Sequence, residues 1–444
     1  MIDISPEVVT AIMLGGILVG VLTGYPLPII MGGLGLGVGY ATMGPAVGKL
    51  LYPRIFYTLT NYILLAVPLF VFMGNMLEGS GITERLYDAL YLWLGKLRGG
   101  LAIATVLIGT VMAACVGIIA ASVTMLALIA LPSMVKRGYS KSLAAGSVCA
   151  GGTLGILIPP SVMIVIYGPT AGLSVGKLFM GAFVPGFVLS GLYCSYIAIR
   201  CFLQPKIAPP VPADELKVPF MKKTVTLAAA LLPTALLILA VLGSIFTGIA
   251  APTEAAAVGA LAATILALAY HRLNWQVLKE TGTSTVKLAG MIFLFVALAI
   301  AFTGVFISTG AGKVVEELIL AMPGGKWGAF AMIMFICFIL GFFIDWVGII
   351  LIMVPIITPI GNILGFDPIW FAMMVIVNLQ MSFMTPPFAG AIFITRGVAP
   401  PELNVTMGDI IRGVFPFVFL IIIGLGLCII FPQLILWLPS MMIR

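Results

Sequence analysis

Charge is the scarcest ingredient of this 444-residue chain: Asp, Glu, Lys and Arg make up 8% of it, against 62% hydrophobic residues. So little charge cannot coat a water-soluble domain of this length. Histidine is nearly absent, and the single His271 excludes a bis-histidine haem held within the chain. The six cysteines sit singly in apolar runs with no CxxC spacing, which supports neither a thiolate metal site nor a disulfide framework. No GxxxxGK[ST] loop occurs, so ATP is not the energy source within this chain. No catalytic constellation of nucleophile, base and acid emerges, and an enzyme is not expected. The net charge of +7 does not imply nucleic acid, because in a membrane protein it mostly reports loop orientation. The first eight residues lack Lys and Arg and carry Asp3 and Glu7, unlike a signal peptide, so the first helix is expected to be retained.

What the chain has in abundance is apolar runs. Residues 227–250 and 414–438, among others, exceed the roughly 20 residues that cross a bilayer as a helix, which makes this an all-α polytopic membrane protein. One such run contains Gly151-Gly152-Thr153-Leu154-Gly155-Ile156-Leu157-Ile158-Pro159-Pro160-Ser161. Two prolines remove two backbone donors and clash with the preceding turn, so a helix must break there. Broken backbone inside a membrane is tolerable only when buried in protein or facing a watery cavity. A second copy, Met384-Thr385-Pro386-Pro387-Phe388-Ala389-Gly390, lies half a chain later. Broken helices at matching places in two halves point to a secondary transporter's binding site.

Other landmarks repeat in order: Gly99-Gly100 with Gly324-Gly325, Gly117 with Gly341, and Pro132 with Pro355, at offsets of 223 to 227 residues. The first repeat is expected over 1–203, with a re-entrant hairpin at about 101–134 and a broken helix at about 143–172. A proline-rich cytoplasmic linker covers 204–223. The second repeat covers 224–444, with a hairpin at about 327–361 and a broken helix at about 368–395. Spans are expected at about 8–25, 26–43, 60–77, 178–203, 224–247, 250–270, 288–308 and 409–438. Residues 44–60 and 271–286 read as interfacial pieces. Five crossings per half invert the second repeat relative to the first. Placing the N-terminus outside puts sixteen of the 22 Lys and Arg on the cytoplasmic side, Lys217 among them. Lys49, Arg54, Lys177, Lys313, Lys326 and Arg444 remain outside, so both termini are expected to be periplasmic.

A hairpin tip facing an unwound helix presents carbonyls, which suit a hard cation such as sodium, and half-helix N-termini, which suit an anion. The first candidate site combines Gly117 and Ser122 with Gly152, Thr153, Gly155 and Ser161. Its mate combines Gly341, Asp345 and Gly348 with Ser382, Thr385 and Gly390. The hydroxyls of Ser122, Thr153, Ser161, Ser382 and Thr385 are the candidate substrate contacts. The alternative for each glycine is close helix packing, and for each hydroxyl a bond to its own backbone. Asp345 is sharper, because an intramembrane carboxylate is costly and marks function by default, as cation ligand or as cap of the hairpin turn. Glu254 and Asp367 read as helix-start caps, and Arg396 as a snorkelling cation.

Three stretches together resemble the large membrane subunit (DctM-like, M subunit) of TRAP (tripartite ATP-independent periplasmic) transporters. They are Pro252-Thr253-Glu254-Ala255-Ala256-Ala257-Val258-Gly259, Gly155-Ile156-Leu157-Ile158-Pro159-Pro160-Ser161 with Tyr167-Gly168, and Thr385-Pro386-Pro387. The resemblance implies a bacterial inner-membrane, sodium-driven carrier for organic acids with an elevator-type ion transporter-like fold. It implies two partners, a small four-helix membrane subunit and a periplasmic substrate-binding protein. It implies two sodium sites, one with Gly117, Ser122, Gly152 and Gly155, the other with Gly341, Asp345 and Thr385, beside Gly390. Two departures stand out. Ile118-Ile119-Ala120-Ala121 replaces a hydroxyl-rich first tip, and Ala389 stands where the family has glycine. Against the carrier stand two rival readings, an integral subunit of an ion-translocating antiporter or redox complex and a channel. The first predicts a chain of Lys, Glu and His at membrane depth, where the sequence offers Asp345 and little else.

Overall fold

The computed structural model describes residues 4–212, 218–387 and 389–442. Part of the proline-rich linker, Lys217, Phe388 and Arg444 lie outside the described residues. Twenty α-helices and no strand occur among the described residues. The chain opens with α1 (Pro6–Leu22), α2 (Leu27–Met43), α3 (Ala46–Leu59), α4 (Ala66–Gly79) and α5 (Ile82–Leu94). There follow α6 (Gly100–Val116), α7 (Ile119–Lys136), α8 (Lys141–Thr153), α9 (Val162–Ala171) and α10 (Val175–Leu203). Beyond the linker come α11 (Phe220–Phe246), α12 (Pro252–Ala269), α13 (Trp275–Ser308), α14 (Ala311–Leu320) and α15 (Gly325–Leu340). The chain ends with α16 (Trp346–Ile363), α17 (Pro368–Ser382), α18 (Gly390–Val398), α19 (Met407–Ile430) and α20 (Gln433–Ser440). Eight helices, counting the 3-10 turn that leads into α4 as part of that helix, are long and apolar enough to cross a membrane.

Short polar side chains set several helix starts. Asp367 Oδ1 accepts from the amides of Ile369 (2.9 Å) and Trp370 (3.0 Å) at α17, and Asn274 Oδ1 accepts from Val277 N (2.8 Å) at α13. Glu254 Oε2 takes the amide of Ala251 at 2.8 Å, so the acid in the Pro-Thr-Glu stretch is occupied at its own helix start.

Three stretches differ from the expected layout. Residues 271–286 are not a separate interfacial piece: after a turn at 271–274, α13 runs unbroken from Trp275 onward, since no proline interrupts it and Thr281, Thr285, Ala289 and Ile292 continue one buried face. The segments before each hairpin hold amphipathic helices, α5 and α14, each entered through a left-handed glycine, Gly81 or Gly310. The last span ends at Ile430, where Pro432 separates α19 from α20.

The helices sort into two packed groups. In one, α4 packs on α12 and α13, α13 on α2 and α3, and α11 on α12 and α5. In the other, α8 is enclosed by α6, α7, α18 and α19, while α17 lies among α10, α15, α16 and α19. Every residue of α8 from Leu143 to Thr153 is buried, as is every residue of α17 from Trp370 to Ser382. A helix apolar all round belongs inside protein, and that placement shields the breaks that follow α8 and α17 from lipid. Glycine permits the closeness: a Cβ on Gly109 of α6 would fall 2.5 Å from the Gly151 backbone of α8. The groups meet where α4 packs on α6 and α13 on α16.

Candidate functional site

The first tip is the short turn between α6 and α7. Gly117 adopts φ 64°, a left-handed conformation that favours glycine, and Ile118 is extended. A Cβ on Gly117 would meet the Pro160 carbonyl oxygen at 2.6 Å. The tip therefore presses on the break of α8, which runs through a 3-10 turn (Leu154–Ile156) to the cis Pro159-Pro160 bond and into α9. Gly155 lies beside Ser122 Oγ and the Ile118 carbonyl, and Gly152 beside the backbone of Val123. Gly117, Ser122, Gly152, Gly155 and Ser161 are thus gathered in one place. Their hydroxyls are turned onto backbone: Ser122 donates to Ile118 O (3.2 Å), Thr153 to Ala150 O (3.1 Å), and Ser161 to Ile156 O.

The second tip spans 341–345 between α15 and α16. Gly341 touches the Ser382 side chain so closely that a Cβ there would overlap the Ser382 hydroxyl. Asp345 holds the N-cap position of α16 with extended backbone. The break after α17 repeats the first one's cis proline pair, Pro386-Pro387, and α18 begins at Gly390. Thr385 donates to Met381 O at 2.7 Å, while the buried Ser382 hydroxyl finds no partner among the described residues. Gly348 packs between Ile344 of the tip and Leu27 and Phe295 of the other helix group, a place of close packing.

The two breaks touch. Thr153 Oγ1 approaches Met384 Sδ (3.7 Å), and Cys149 Sγ lies 3.2 Å from Thr395 Oγ1 of α18. Between both tips and α13 lies a cavity of about 190 Å³. Ile118 and Ile119 enter it from the first tip, Asp345 and Trp346 from the second, Gly390 from α18, and Met291 from α13. Asp345 is the one titratable side chain on its wall; the five candidate hydroxyls lie behind the wall.

Reading for carboxylates and hydroxyls passed over two amides. Asn378 Nδ2 donates to Met334 O at 2.8 Å, tying α17 to α15. Gln380 is fully buried, and neither polar atom of its amide has a partner among the described residues. Their signal was present in the sequence: two amides two residues apart inside an apolar helix carry the same burial cost that singled out Asp345.

Comparison with known proteins places this geometry. The C4-dicarboxylate TRAP transporter large permease protein DctM of Pseudomonas aeruginosa is 34% identical over 392 residues, covering 87% of this chain and 88% of that protein. The ectoine TRAP transporter large permease protein TeaC of Halomonas elongata is 27% identical over 439 residues, covering 98% of this chain and 100% of that one. Among solved structures, the Alcanivorax borkumensis YdaH transporter, whose topology is described as unusual, superposes with a TM-score of 0.61. It shares 15% identity and covers 97% of this chain and 100% of its own, a likeness of fold alone. Residues 14–434 match the tripartite ATP-independent periplasmic transporter DctM component, and the chain is therefore a member of that family of membrane permeases, a transporter component and not an enzyme.

Proposed function

We propose that this chain is the large permease subunit that imports an organic acid anion across the bacterial inner membrane, driven by a sodium gradient. The observation that carries the reading is the convergence of two hairpin tips and two broken helices on one cavity, with α13 of the other helix group as its far wall. Carbonyls released at each break offer hard oxygen ligands, and Asp345 adds the one negative charge. On this reading one sodium sits at Gly117, Ser122, Gly152 and Gly155, and the other at Gly341, Asp345, Thr385 and Gly390. The substrate lies between them, approached by Ser122, Thr153, Ser161, Ser382 and Thr385. The halves 1–203 and 224–444 act as inverted repeats joined by the linker 204–223, with both termini periplasmic.

Transport then follows an elevator path. The helix group holding both breaks slides against the group of α2, α4, α12 and α13 and carries the cavity with it. The large exposed side chains of α11 and α12, such as Leu232, Leu236, Leu261 and Ile265, suit contact with lipid and with a small membrane subunit. A periplasmic binding protein delivers the substrate. Relatives named for a C4-dicarboxylate and for ectoine share this architecture, so substrate class is set by local side chains and by the binding protein. Family membership also removes the ground for an antiporter or redox subunit.

The deciding experiment is uptake into liposomes that contain this chain with its small subunit. Organic acids are presented on the cognate binding protein, with and without an inward sodium gradient. Uptake that requires both sodium and the binding protein is the expected result. Uptake indifferent to sodium would sink the ion-site assignments, and proton movement with no organic solute would sink the carrier.

A further inference from the structure

A second cavity, of about 370 Å³, adjoins the first along the same three helices. On α13 the lining passes from Ile292 in the first cavity to Val296, Ile300 and Thr303 in the second. On α16 it passes from Val347 to Leu351 and Pro355, and on α9 from Val162 to Ile166 and Thr170. Steps of three or four residues keep each series on one helix face, and eight residues of α13 advance about 12 Å. The two cavities are thus successive compartments of one track between the helix groups. They differ in chemistry. The first is walled by apolar side chains, Trp346 and Phe383 among them, and one carboxylate. The second is lined by Tyr57, Thr58 and Asn61 from the segment of α3 and its following turn, together with Thr170 and Thr303, and no carboxylate lines it.

The hydroxyls of Thr58, Thr170 and Thr303 donate to their own helices, at 2.9, 2.7 and 3.0 Å, and offer the cavity only acceptor lone pairs. The unused donors are others. Asn61 Oδ1 is taken by the Ile63 amide at 3.0 Å, while its Nδ2 and the Tyr57 hydroxyl have no hydrogen-bond partner among the described residues. Arg54 stands one helical turn before Thr58 with its guanidinium against Gly304, the neighbour of Thr303; its nitrogen lies 3.3 Å from where a Cβ on Gly304 would sit. No acid pairs with it among the described residues. The amide of Asn61 and the phenol of Tyr57 on the wall of a cavity without acids, with the unpaired Arg54 guanidinium one helical turn beyond them, form a donor set for an anion.

We propose that this compartment is a second binding station for the transported anion, in which Arg54 supplies the charge and Asn61 and Tyr57 orient the ligand. It rests on the transport reading for its role but not for its anion preference. The station is built mostly on the stationary side of the track, so an anion can be held there before or after the apolar cavity takes it.

The test uses the complex with the small subunit in liposomes, in a Cys194→Ala background so that the remaining thiols are buried. Tyr57→Cys is labelled with an anionic (sulfonatoethyl) or a cationic (trimethylammonioethyl) methanethiosulfonate, each rate divided by that with a free thiol. The anionic reagent should be favoured by about fivefold or more, the preference should vanish in Arg54→Gln, and Arg54→Lys should keep it. Equal rates, or a preference that survives Arg54→Gln, would overturn the station. In succinate uptake with the binding protein, Arg54→Gln should raise KM about tenfold with kcat within about twofold. Intact charge preference in a complex that moves no organic acid would leave the station standing and overturn the transport reading instead.

Discussion

At the first tip every hydroxyl donates back to the main chain, and the side chains that face the cavity, Ile118 and Ile119, are apolar. At the second, Asp345 carries a charge into the cavity, and Ser382 and Gln380 of the adjoining α17 keep polar atoms that have no partner among the described residues. Two stretches with the same cis proline pair and the same order of helices therefore differ in what they offer a ligand. The first tip offers carbonyl oxygens and the lone pairs of hydroxyls already donated to the main chain, so what it presents depends on backbone shape. The second adds side chains, whose chemistry can change while the backbone stays. One architecture duplicated within a chain can hold one site by geometry and the other by composition.

Substitutions can break that contrast. The largest effect should come from Gly117→Val, which places a branched side chain at a left-handed φ and against the Pro160 carbonyl. Uptake should fall about 100-fold or more, since a shift of about 1 Å at a reacting or binding centre has that scale. Normal uptake at normal expression would show that tip shape is not critical. Asp345→Asn should raise the sodium concentration for half-activation about tenfold, the equivalent of one lost charged ligand. Copurification of the small subunit should be unchanged, and an unaltered sodium curve in vesicles would remove Asp345 from the ion site.

A matched pair sharpens the contrast. Ser382→Ala should cost about fivefold in apparent sodium or substrate affinity, because an uncommitted hydroxyl is lost, whereas Ser122→Ala should stay within about twofold. Equal losses at both positions would mean that the two tips coordinate alike. The smallest effect concerns Ala389, which sits at φ 28°, a region that non-glycine residues rarely adopt. Ala389→Gly should relieve about 1 kcal/mol of strain and raise the thermal midpoint by about 2 °C. An unchanged or lower midpoint would show that the surrounding helices impose no strain there.

Much of the architecture was legible because hydrocarbon permits few solutions. Runs of apolar residues must be helices, and a proline pair must break them wherever it falls. The breaks at Pro159-Pro160 and Pro386-Pro387 and the turns at Gly117 and 341–345 follow from local sterics that the sequence carries in full. Where competing signals were weak, tertiary context decided. Residues 271–286 look interfacial because they mix charge with apolar residues, yet nothing after Asn274 stops a helix, and α13 runs on from Trp275. Helices α5 and α14 are short enough that charge masked their periodicity.

The sequence alone determined that this chain is helical, spans a membrane several times and carries a repeated pair of helix breaks, since covalent geometry and the hydrophobic effect act on each segment separately. Only the tertiary structure decided which groups those breaks offer. Whether a serine hydroxyl bonds its own carbonyl, whether Gly348 packs against Leu27, and whether Arg54 stands alone beside a polar cavity all depend on neighbours distant in sequence. Those contacts arise from packing, which no local pattern records.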